Sequence, residues 1–90
     1  MAGAAVAETP PPAAGPCAAC HGANGLSVVP DAPNLAGQPR AYLVEQLKAF
    51  RSGKRPSETM SLMAKNLTEA DIQQLSDWYS SLVVEVKPRP

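Results

Sequence analysis

Both cysteines and the only histidine of this 90-residue chain fall in five consecutive positions, C-A-A-C-H at residues 17–21. Two thiols and an imidazole side by side, with no others anywhere to assist them, constrain the chain more than any other feature. A chain this short buries a modest share of its surface and commonly leans on a disulfide, a metal or a cofactor to complete its core. Its own aromatic bulk is small: one Trp, two Tyr and one Phe. Whatever Cys17, Cys20 and His21 hold is therefore the natural candidate for the missing interior.

Four chemistries compete for the cluster. A structural zinc site needs four nitrogen or sulfur ligands, and three at most are present. A thioredoxin-like dithiol belongs after a strand in a βαβ pattern, and no segment alternates convincingly over strand length. Plain structural thiols or a local disulfide leave the adjacent histidine unexplained. The fourth chemistry is covalent attachment of haem c, for which C-x-x-C-H is the signature. Its spacing has a physical reason: cysteines three apart on one helical turn reach the two vinyl groups along one porphyrin edge, and the next residue turns its imidazole to the iron. An electron-carrying haem wants a sixth ligand, and methionine is the usual soft partner of histidine. The internal candidates are Met60 and Met63, each of which has core packing as its commoner alternative.

The rest of the chain reads as all-helical. Pro39 suits a first helical turn, Leu43, Leu47 and Phe50 recur at helical spacing, and Gly53 offers a stop, predicting a helix over about 39–52. Thr68 and Asp71 form a capping box in its Asp variant, and Leu67 and Ile72 a hydrophobic staple. With Ile72, Leu75, Tyr79 and Leu82 on one face, they predict a helix over about 69–82. A shorter helical piece is expected around 61–65, and Pro16 is placed to begin a helix through the cysteines. Residues 22–38 carry Gly, Pro, Asn and Asp without a period, as a loop wrapped around something would. The Pro-rich stretches "ETPPPAAGP" and "VEVKPRP" read as extended flanks, giving tails or linkers at 1–15 and 84–90 around a domain at 16–83.

Eight Lys plus Arg balance eight Asp plus Glu, which argues against a generic nucleic-acid binder. No apolar run approaches the roughly 18 to 20 residues of a membrane span. Residues 1–10 lack the basic and apolar regions of a signal peptide. Basic residues gather at Lys48, Arg51, Lys54 and Arg55 and acidic ones at Glu69, Asp71 and Asp77, which reads first as an ordinary solvated surface and second as an asymmetry able to orient a partner.

"CAACHG", "PDAPNLAGQ", "YLVEQLKAFRSGKR", "TMSLMAKNLTEADI" and "LSDWYSSL", in that order, resemble the class I c-type cytochromes, and in particular the haem domains of cytochrome c4. The likeness covers about residues 16–82. It implies a small class I cytochrome c fold of three to four helices around one haem c, with Cys17 and Cys20 as thioether attachments and His21 as proximal ligand. Met60, seven residues before Leu67, matches the family's distal ligand, with Met63 beside it as a packing residue. Pro33 matches the proline whose carbonyl accepts a hydrogen bond from the proximal imidazole, Pro30 being the nearby alternative. Tyr42, Gln46 and Arg55 lie where such proteins place donors to the haem propionates. Trp78 and Tyr79 resemble the aromatic pair that packs the last helix on the first. One departure is "TPPPAAGP", where the family carries a longer first helix. Proline there implies a short first helix and a less well covered Trp78 face.

His/Met ligation leaves no open iron position, so the expected role is one-electron transfer rather than enzymatic catalysis, as a separate carrier or as a module of a larger redox protein. The alternative is a haem enzyme or small-ligand sensor with an open iron position. Covalent haem attachment in bacteria implies a periplasmic location, with the export signal outside these residues. The expected partners are transient redox proteins or a fused redox domain, the chain itself being monomeric in isolation.

Overall fold

The computed structural model describes residues 9–86, so the parts of the two flanks at 1–8 and 87–90 lie outside the described residues. The described chain is helical, with α1 (Gly15–His21), α2 (Arg40–Ser52), α3 (Glu58–Ala64) and α4 (Glu69–Ser81), and no strand among the described residues.

Helices α2 and α4 form the scaffold. Pro39 stands at the N-cap of α2, its carbonyl accepting the Leu43 N–H at 3.1 Å. Gly53 stops the helix at φ 81°, a left-handed conformation that glycine adopts freely. At the start of α4 the predicted capping box is present in both directions. The Thr68 hydroxyl accepts from the Asp71 N–H, and the Asp71 carboxylate accepts from the Thr68 N–H, each at 3.0 Å. The stripe on α4 buries Ile72, Leu75, Trp78 and Tyr79, the last three of which meet Leu43 of α2 and Ala14 in the core.

Two expected elements differ. Helix α3 begins at Glu58, not near 61, because Ser57 caps it with a side chain that accepts the Met60 N–H. Met60 therefore sits in the first turn of a helix. The proline run expected to be extended instead closes a 3-10 turn at Pro12–Ala14, with Ala14 N–H donating to Pro11 carbonyl at 2.9 Å, and passes directly into α1. A helix start needs no N–H from its first residues, so proline is tolerated there. The turn lies against α4, and Ala14 is 4% exposed within the core. Packing thus begins before residue 16. It also covers the Trp78 face more fully than expected, for Trp78 is 7% exposed.

The charge clusters pair in part across the scaffold. Arg40 of α2 holds Asp77 and Gln73 of α4, while Lys48 and Arg51 of α2 both reach Glu69 at 3.4 and 2.8 Å. Asp71 is spent on the capping box. Exposed pairs of this kind contribute roughly 0–1 kcal/mol each, so they set helix register more than stability. Arg51 also donates to the Leu67 carbonyl at 3.2 Å, closing the turn between α3 and α4.

The loop after α1 is stitched by backbone hydrogen bonds. The Gly25 carbonyl accepts from Leu35 and Ala36 at 2.7 and 3.1 Å, and the Gly37 N–H donates to the Tyr79 carbonyl at 2.9 Å. Gly25 has φ 73°, and a Cβ there would stand 2.8 Å from Ala36 N and 2.9 Å from a Tyr79 ring carbon. Only glycine lets the loop press this closely on α4.

In denaturant unfolding, Thr68→Ala is expected to cost about 1 kcal/mol. Ile72→Ala, at a side chain 0% exposed, is expected to cost about 2–5 kcal/mol; equal costs for the two would contradict this packing. Gly25→Ala should destabilise more than Gly53→Ala, because both have positive φ but nothing lies within 4 Å of a Cβ at Gly53. Equal unfolding midpoints for those two variants would count against the close approach of loop and α4.

Candidate functional site

Helix α1 carries Cys17 and Cys20 and ends on His21, which is 6% exposed. His21 Nδ1 lies 2.8 Å from the carbonyl oxygen of Pro33, twelve residues along the loop. A carbonyl can only accept, so Nδ1 carries the proton and donates it. Nε2 is then left with its lone pair, the form a metal-ligating imidazole needs. Of the two candidate prolines, Pro33 and not Pro30 makes this bond. The cysteine and loop segments are themselves tied, since the Val28 N–H donates to the Cys20 carbonyl at 3.1 Å.

Both thiols are free of any disulfide. Burial pushes the Cys17 thiol up, partly offset by a hydrogen bond with Tyr79. The Tyr79 phenol is pushed up to about 12, by burial first and by the adjacent Cys17 second. Cys17 and Tyr79 therefore face each other as neutral groups at the junction of α1 and α4.

Cys17 and His21 open onto a cavity of about 300 Å³ with a predominantly apolar wall. Helix α2 supplies Leu43, Leu47 and Phe50 to that wall, α4 supplies Leu75 and Tyr79, and α3 supplies Met60. The polar rim contains Tyr42, Gln46 and Arg55. Arg55 donates to the Gln46 side-chain carbonyl and lies over the Phe50 ring, 4.6 Å from its centroid. Of the two methionines, Met60 lines the cavity, whereas Met63 is 43% exposed and lies outside it. The cavity thus brings together Cys17, His21, Pro33, Tyr42, Arg55 and Met60. Cys20 is half-buried and outside the cavity wall. Ser57, which the sequence reading passed over, also borders the cavity. The available signal was a serine after a proline and before an acidic residue, a weak helix-start pattern.

Among the described residues no three His, Cys, Asp or Glu side chains are grouped to hold a metal ion by themselves. The donor set fits a haem instead: a buried imidazole with a free Nε2, two free thiols at C-x-x-C-H spacing, and an apolar cavity lined by Cys17, His21 and the Met60 thioether.

Comparison with known proteins agrees. The family model "Cytochrome c" matches residues 2–82. The thiosulfate dehydrogenase electron acceptor of Thiomonas intermedia is 44% identical over 81 residues, covering 89% of this chain and 37% of its own length. Cytochrome c-554(548) of Halomonas halodenitrificans is 41% identical over 70 residues, covering 74% of this chain and 84% of its own length. The solved cytochrome c4 of Acidithiobacillus ferrooxidans superposes with a TM-score of 0.70 at 39% identity, over 73% of this chain and 38% of that one. The chain therefore spans well under half of two of these three relatives. Helices, C-x-x-C-H segment and similarity converge on one statement: the chain belongs to the cytochrome c family, with haem c as its covalently bound cofactor.

Proposed function

We propose that this chain is a one-electron carrier domain in which Cys17 and Cys20 anchor a single haem c and His21 and Met60 are its axial ligands. The observation that carries the reading is the shared cavity. His21 and Met60 both line it, and the competing Met63 is 43% exposed outside it. The haem supplies reversible exchange between Fe(II) and Fe(III). The remaining work belongs to the protein. Pro33 holds the imidazole by its Nδ1–H and strengthens Nε2 as a donor. Leu43, Leu47 and Phe50 give the cavity an apolar wall, which penalises the more highly charged oxidised state. Tyr42 and Arg55, with Gln46, line the cavity and in this reading donate to the propionates.

Two strong axial ligands leave no position for a substrate, which favours a carrier over an enzyme. The partner in this reading is a redox protein or a redox domain on the same polypeptide. The name of the Thiomonas relative, an electron acceptor of thiosulfate dehydrogenase, supports an electron-accepting role. No helix among the described residues is long and apolar enough to cross a membrane. A periplasmic location follows from covalent haem attachment, which in bacteria takes place outside the cytoplasm.

The oxidised holoprotein should show the near-infrared sulfur-to-iron charge-transfer band, retained in Met63→Ala and abolished in Met60→Ala. A band that survives Met60→Ala would move the ligand to Met63. Its absence from the unsubstituted protein would overturn the carrier reading in favour of an open iron.

A further inference from the structure

The segment that presents Met60 packs against α2 but buries few of its own side chains. Helix α3 has seven residues, of which only Ala64 is fully buried, and Leu62 is 69% exposed and Met63 43%. A helix of two turns is not stable by itself in water, because nucleation costs more than so few hydrogen bonds return. Beyond its packing on α2, its first turn is capped by one side chain. Ser57 is extended, at φ −163° and ψ 122°, and its hydroxyl accepts the backbone N–H of Met60 itself at 3.1 Å. The Ser57 carbonyl accepts the N–H of Ser61, the residue after Met60, at 2.9 Å. Ser57 thus grips the chain at Met60 and immediately beyond it, and it borders the same cavity.

We propose that Ser57 is a positioning residue for the distal ligand: its side-chain hydrogen bond to the Met60 amide holds the first turn of α3 so that the thioether is kept in the haem cavity. This inference rests on Met60 being the ligand. Without the cap, the Met60 N–H, one of the leading N–H groups that have no partner within the helix, loses its side-chain acceptor, and the turn that carries Met60 opens more readily. Opening that turn withdraws the thioether, and an added ligand then competes more easily for the iron. The strength of the cap should appear directly in that competition, because the affinity of an added ligand scales with the fraction of protein whose thioether has left.

The test is imidazole titration of the oxidised holoprotein, alongside its near-infrared sulfur-to-iron band and thermal unfolding. Ser57→Ala should bind imidazole about fivefold more tightly, the factor corresponding to an ordinary N-cap. Ser57→Thr and Ser57→Asn, which retain a capping oxygen, should return toward the unsubstituted affinity. Thr68→Ala removes the comparable cap of α4 without touching α3, and should lower thermal stability while leaving imidazole affinity unchanged. An unaltered affinity in Ser57→Ala would overturn the proposal, as would an equal change in Thr68→Ala, which would reduce the effect to general destabilisation. Met60→Ala separates the two levels of inference. If the band vanishes in that variant while Ser57→Ala is silent, the ligand assignment stands and the role of Ser57 falls. If the band persists, both fall.

Discussion

The hydrogen bond from His21 Nδ1 to the Pro33 carbonyl, 2.8 Å long, is the interaction on which the rest of the structure depends. It fixes the tautomer that leaves Nε2 of His21 free to bind a metal, and it spans twelve residues of loop to do so. That loop has no secondary structure of its own to keep Pro33 in place. It is held by the Gly25 carbonyl, by the Cys20–Val28 bond, and by the Gly37 contact with the end of α4. The orientation of one imidazole is therefore set by helix α4, through a loop that only a side-chain-free residue at 25 allows to close.

Around that bond the chain divides its labour. Helices α2 and α4 pack through Leu43, Leu75, Trp78 and Tyr79 and carry the ion pairs that set their register. Helix α1 and α3 bury little by themselves. Each is short, and their fully buried residues are His21 in α1 and Ala64 in α3. They serve as arms that bring the Cys17 thiol, the imidazole and the Met60 thioether to the cavity. The apolar wall is larger than the described core can fill by its own side chains, and a covalently attached porphyrin supplies the missing apolar bulk. A small domain with four aromatic residues gains a core that cannot dissociate.

How much of this was legible in the sequence depended on how local the cause was. The capping box of α4 is written in four consecutive residues and appears where expected. The stripe of α2, with Gly53 behind it, was equally plain. Helix α3 was placed too late because its single fully buried residue makes no periodic pattern, leaving only the cap at Ser57 to mark its start. The proline run misled for a different reason. Its composition suits both an extended segment and a 3-10 turn, and the choice is made by Ala14 packing in the core with Trp78, a contact between residues far apart in the chain. The charge clusters admit either a solvated or a docking reading in sequence, because their partial pairing depends on how α2 and α4 align, which no short window of sequence reports. Pro33 and Pro30 differ only by loop geometry, so resemblance could prefer one and the backbone had to decide.

The central claim is that this chain folds so as to aim one imidazole and one thioether, His21 and Met60, at the iron of a single enclosed haem. Nuclear magnetic resonance of the reduced holoprotein, labelled with carbon-13 at the methionine methyl groups, tests it most directly. A methyl group bound against the haem face is driven far upfield by the ring current, whereas one in solvent or ordinary packing is not. The account predicts that the Met60 methyl alone is displaced in this way, with Met63 at an ordinary position. A Met60 signal among the unperturbed methionines, or a displaced Met63, would contradict it.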